Sequence, residues 1–138
     1  MNIFDVIQTV DSLKIAHKIN NAASHIKKIQ RIYMQINTGN DSKKYGFNNK
    51  EVIKAAHEIN LLKNIHLEGI MMIPPHLNIN NEYRNIFKQT KLLQLAIYNS
   101  GIENCINISM GMSRDYSIAI EEGATHIRIG TALFGSRT

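Results

Sequence analysis

The chain has a single cysteine, Cys105, so no disulfide can form within it. That residue sits just before an apolar, strand-like run, which marks it as a packing residue rather than a nucleophile. The two prolines are adjacent, Pro74 and Pro75, and read as the stop of a strand. No apolar run approaches the roughly 18 residues a membrane span needs, and the start, Met1-Asn2-Ile3-Phe4-Asp5, lacks a basic leader. A cytoplasmic protein with no membrane partner is expected. The six histidines, His17, His25, His57, His66, His76 and His126, have no metal-ligand spacing with one another or with Cys105, so no metal site is expected. No low-complexity linker interrupts the sequence, and residues 1–138 are read as one domain or part of one.

Charge of one sign is in excess without being concentrated. Sixteen Lys and Arg against eleven Asp and Glu give a net charge of +5, yet the cations are scattered. Lys27, Lys28 and Arg31 close one expected helix, where cations answer the macrodipole, while Arg84, Lys88 and Lys91 decorate the polar face of another. No nucleic-acid partner is expected. Isoleucine (23), asparagine (16) and lysine (11) dominate, all with A/T-rich codons, so genomic drift accounts for part of the positive charge.

What is present is alternation. Phe4 to Val10 reads as a strand, and Asp11 or Ser12 caps a helix whose apolar positions Leu13, Ala16, Ile19, Ala23 and Ile26 recur every three or four residues. Arg31 to Asn37 is a second strand. The stretch Asn37 to Gly46 is dense in turn formers and must be a loop. Asn48 with Glu51 makes a capping-box-like start for a helix using Val52, Ile53, Ala56 and Ile59. Leu67 to Ile73 is a third strand. A long helix follows from about Asn80 to Asn99, with Ile86, Phe87, Thr90, Leu93 and Ile97 inward and Gly101 at its end. Ile106 to Met110 is a fourth strand; a helix starts at Ser113 as N-cap and ends at Glu122-Gly123. Thr125 to Ile129 is a fifth strand, and Gly130-Thr131-Ala132 opens another helical turn.

Five strands in βα order predict a parallel α/β fold. Right-handed crossovers put the strand ends on one rim, where ligands sit in such folds. A phosphate on that rim needs backbone N–H groups from a helix start, a hydroxyl and a glycine for close approach. Gly130 and Thr131 meet that need, and Ser109 at the neighbouring strand end adds a hydroxyl. The same residues also make ordinary βα turns, so pattern alone leaves both readings open. Arg128 alternates with Ile127 and Ile129 and so faces away from them. In a barrel that direction is the interior, where an arginine is expensive unless paired.

Three further blocks carry a resemblance. Ser109-Met110-Gly111-Met112-Ser113-Arg114-Asp115, Ala119 to Thr125 and Arg128 to Gly135 together resemble the C-terminal signature of the pyridoxal phosphate (PLP) homeostasis protein family, single-domain relatives of the alanine racemase barrel. Val10-Asp11-Ser12, the loop ending Lys44-Tyr45-Gly46-Phe47, and Gly69 to Pro75 agree in order. The resemblance implies a partial (β/α)8 barrel, its fourth to eighth units, with 1–138 as the C-terminal portion. A whole barrel takes about 200–250 residues. It implies pyridoxal 5'-phosphate as cofactor, bound by Ser109, Arg128, Gly130 and Thr131, with Met110, Gly111, Ser113 and Lys44 as weaker contacts.

In the family the Schiff-base lysine lies on the first strand, ahead of anything matched here, so any binding is expected to be non-covalent. The arginine at Arg128 is implied to approach the pyridine nitrogen and keep it unprotonated. The implied function is PLP carriage in intracellular homeostasis, not turnover. The alternatives are a non-functional or split-gene remnant that pairs with a separately encoded N-terminal half, and, further off, an amino-acid racemase or decarboxylase. A half-barrel with two open edges is expected to be marginal alone.

Overall fold

A computed structural model describes residues 5–38, 45–75, 77 and 80–128. β1 (Val6–Val10), α1 (Leu13–His25), β2 (Gln30–Ile36), α2 (Val52–Asn60), β3 (Ile65–Met72), α3 (Asn80–Asn99), β4 (Asn107–Met112), α4 (Tyr116–Glu121) and β5 (His126–Arg128) follow one another. The five strands form a single parallel sheet in the order β1-β2-β3-β4-β5. The sheet is curled and open: Ser109 on β4 donates to Gln8 on β1 at 2.7 Å although two strands lie between them. This is the expected partial (β/α)8 barrel.

Local chemistry sets the element boundaries. Ser12 is the N-cap of α1, its hydroxyl accepting from the Ile15 N–H at 3.2 Å. Asn48 and Glu51 form the expected reciprocal pair. The Asn48 carboxamide accepts from the Glu51 N–H at 3.0 Å, and the Glu51 carboxylate accepts from the Asn48 N–H at 3.1 Å. The end of α1 carries a signal the sequence did not advertise. Lys27 takes a left-handed φ of 53°, and the Lys28 N–H reaches back to the Ala23 carbonyl at 2.9 Å, a Schellman closure without glycine.

The core lies between the convex face of the sheet and the helices. Ile32, Met34, Leu67, Ile70, Met72, Ile108 and Met110 from the strands meet Ala16, Ala56, Ile59, Phe87 and Ile97 from the helices, all buried. On α3 the fully buried positions are Tyr83, Phe87, Thr90, Gln94 and Ile97, whereas Ile86 and Leu93, expected inward, are only partly covered. Gln94 is buried because its side-chain amide donates to the Cys105 carbonyl at 2.7 Å and satisfies the chain before β4. Arg84 does not merely decorate α3: it clamps α4 through Glu121 at 2.6 Å and Glu122 at 2.7 Å.

Two expectations need correcting around β4. The strand does not stop at Met110 but runs to Met112, through Gly111 at φ +103°. A Cβ there would lie 2.7 Å from the Ala119 Cβ, so glycine is what allows α4 to pack onto the strand. The N-cap position of α4 belongs to Asp115, not Ser113. Its carboxylate turns back to accept from the Met112 N–H at 2.6 Å and closes the turn from β4 instead of capping the helix.

β3 and β4 approach so closely at Gly69 that a Cβ would sit 2.5 Å from the Asn107 carbonyl oxygen, a main-chain atom that cannot step aside. Gly69→Ala is therefore expected to lower stability by about 2–4 kcal/mol, read as a drop in the urea midpoint, because the strand pair must part to accept one methyl group.

Candidate functional site

The concave face of the curled sheet is polar. Contacts cross it between strands that are not neighbours: the bond from Ser109 to Gln8 joins β4 to β1, and the ring of His126 on β5 meets that of Tyr33 on β2 edge-on at 5.8 Å. Side chains on this face come from alternate positions, so Ile32, Met34 and Ile36 point to the helices while Tyr33 points inward. Tyr33 is 1% exposed, and burial pushes its hydroxyl up from the ordinary phenol range.

Arg128 is the centre of the arrangement. Its Nη1 donates to the Ser109 hydroxyl at 2.9 Å and makes a longer bond of 3.4 Å to the Ser109 carbonyl; its Nη2 donates to the Met72 carbonyl at 2.7 Å. One guanidinium thus ties β5 to the middle of β4 and to the C-terminal end of β3. Every acceptor it uses among the described residues is neutral. The arginine ion pairs among the described residues lie elsewhere, at Arg31 with Glu68 and Arg84 with Glu121 and Glu122. Burial pushes the Arg128 guanidinium down from its ordinary value, opposed by the field of Asp115. A partly buried cation whose acceptors among the described residues are neutral keeps positive charge that an electron-rich group can meet.

Ser109 is fully buried between Gln8 and Arg128. The Met110 side chain points the other way, into the core, which leaves only its backbone for a ligand. Gly111 is buried in the strand, and Ser113 lies half-buried in the turn before α4. Gly130, Thr131 and Lys44 lie outside the described residues. The reasoning from sequence missed Gln8, Tyr33, Asp115 and the Met72 carbonyl. A signal for the first was available: Gln8 is a polar residue inside Val6-Ile7-Gln8-Thr9-Val10, where an amide needs a partner.

Among the described residues no three His, Cys, Asp or Glu side chains cluster as metal ligands, and no helix is long and apolar enough to cross a membrane.

Curled parallel strands, outer helices and a polar inner face carrying a partly buried arginine define a portion of a (β/α)8 barrel. The family model described as "Alanine racemase, N-terminal domain" matches residues 2–138, and the chain belongs to that family. It is 34% identical over 134 residues to a pyridoxal phosphate homeostasis protein of Vibrio alginolyticus, covering 97% of this chain and 57% of that protein. A crystal structure of an unknown protein from Bifidobacterium adolescentis superposes with a TM-score of 0.93 at 31% identity, over 97% of this chain and 54% of the other. The structure of PipY from Synechococcus elongatus with PLP bound gives a TM-score of 0.87 at 26% identity, over 97% and 62%. The chain thus spans little more than half the length of these relatives.

Cys105 stands apart from the polar face. It is fully buried in the core, and desolvation pushes its thiol up to about 12. Roughly one thiol in ten thousand is then ionised at pH 8, so a thiol reagent at that pH is expected to leave the folded chain unlabelled and to label it fully in denaturant.

Proposed function

We propose that this chain is the part of a PLP homeostasis protein that grips the ring-nitrogen and phosphate side of the cofactor, without turnover of its own. The observation that carries this reading is Arg128, a partly buried guanidinium on the concave face whose acceptors among the described residues are all neutral. The names of similar proteins and the PLP-bound relative support it. Residues 1–138 are, on this reading, the C-terminal β/α units of the barrel.

The donor set fits the group. PLP supplies a ring that withdraws electrons most strongly when its nitrogen is protonated. A guanidinium beside that nitrogen disfavours the protonated form, which restrains amino-acid chemistry and favours carriage. Ser109 serves here less as a phosphate donor than as a support, because its one proton already goes to Gln8 and its oxygen accepts from Arg128. The resemblance assigns the phosphate to Gly130 and Thr131, with Gly111 in β4, Ser113 in the turn after it and Lys44 as weaker contacts. With water competing on the open side, each charge-assisted bond contributes at the low end of about 1.5–3 kcal/mol.

Calorimetric titration of the chain with PLP is expected to give a dissociation constant weaker than about 1 μM, equivalent to about 8 kcal/mol. Arg128→Ala should weaken it by about tenfold and raise the pKa of the bound pyridine nitrogen, since a neighbouring cation is removed. Binding unchanged in Arg128→Ala would remove the site from this face.

A further inference from the structure

We propose that Gln8 is a positioning residue for Arg128, acting through Ser109. A hydroxyl has one proton and two lone pairs. The Gln8 carboxamide oxygen takes the proton of Ser109 at 2.7 Å, which leaves the lone pairs of the Ser109 oxygen to receive the Arg128 Nη1 donor at 2.9 Å. Gln8 therefore fixes the polarity of Ser109: toward the guanidinium it is an acceptor. With no acceptor at position 8, the hydroxyl proton has no fixed direction, the Ser109 side chain is free to turn, and its lone pairs are no longer held toward the guanidinium.

The backbone delivers Gln8 to this place by an independent device. β1 pairs with β2 through Ile7 opposite Ile32 and then Val10 opposite Met34, so Gln8 and Thr9 together face one residue, Tyr33. This irregularity keeps both Ile7 and Val10 in line with the helix-side residues while turning Gln8 to the concave face. Gln8 is half-buried and Thr9 exposed. Three strands of the sheet then meet in one relay, from Gln8 on β1 through Ser109 on β4 to Arg128 on β5, and the Met72 carbonyl of β3 holds the other arm of the guanidinium.

This role rests on the PLP reading only for its effect on binding; the relay itself can be read without a ligand. The decisive experiment measures rotation of the Arg128 guanidinium about its Nε–Cζ bond by NMR in the ligand-free 138-residue chain, then PLP and inorganic phosphate binding by calorimetry. In Gln8→Leu, rotation is expected to speed up at least tenfold. In Gln8→Glu, whose carboxylate still accepts the serine proton, it stays slow. PLP binding should weaken about fivefold in Gln8→Leu and in Ser109→Ala, with no further loss in the double variant, while binding of inorganic phosphate, which lacks the ring, is unchanged. Losses that multiply in the double variant, or rotation unaltered in Gln8→Leu, would overturn the proposal. Should Gln8→Leu not fold, Gln8→Met, unbranched and of similar length, carries the same test. A wild-type chain that binds no PLP would sink the functional reading, and the rotation rates would still decide the role of Gln8.

Discussion

The guanidinium of Arg128 is the interaction on which the inner face depends. A curled sheet needs something that binds its strands across the concavity as well as along the ladder, and here one planar cation with donors in two directions does so. The Met72 carbonyl is fixed by the sheet's own ladder and the Ser109 hydroxyl is engaged by Gln8, so among the described residues the fork is held without an acidic acceptor. A carboxylate partner would neutralise the cation at a desolvation cost of its own, whereas neutral acceptors hold it and leave its charge in place.

The curl itself has a backbone origin. The ladder is irregular in three of the four strand pairs: between Ile7 and Val10 on β1, between Ile32 and Tyr33 against β3, and between Ser109 and Met112 on β4. Each extra residue bends its strand and increases its twist. Together they turn an open sheet into part of a barrel wall. They also determine which residues face inward: Glu68 is the extra residue of β3, and it is turned to the Arg31 guanidinium at 2.7 Å.

Much of this was legible in the residues. Periods of two and of three to four residues revealed five strands and four helices, and the Ser12 cap, the Asn48 and Glu51 pair and the Pro74-Pro75 stop lay close to their true places. Arg128 was recognisable as an inward-facing cation because Ile127 flanks it. The rest was hidden for a physical reason. Gln8 and Ser109 are separated by 101 positions in sequence, and their contact exists only because the sheet curls. Simple alternation also fails wherever a bulge inserts one residue. Asp115 misled in another way: in this short turn the carboxylate found a nearer donor, the Met112 N–H, than the helix start that Ser113 was expected to cap. Lys27 shows the converse, a helix end closed by geometry where no glycine announced it.

The return of the chain at Phe47 separates the loop from the sheet. The Asn37 N–H donates to the Phe47 carbonyl at 2.8 Å, and the Phe47 N–H donates to the Gln35 carbonyl at 2.9 Å, so the chain is stapled to the end of β2 on both sides of the excursion. The register of β2 is thereby made independent of what lies between the staples. Doubling the length of a chain segment closed between two fixed ends costs only about 0.6 kcal/mol of closure entropy. Segments of different length and chemistry can therefore occupy this position at nearly constant stability, and the rim of the barrel is free to diversify there while its wall stays fixed.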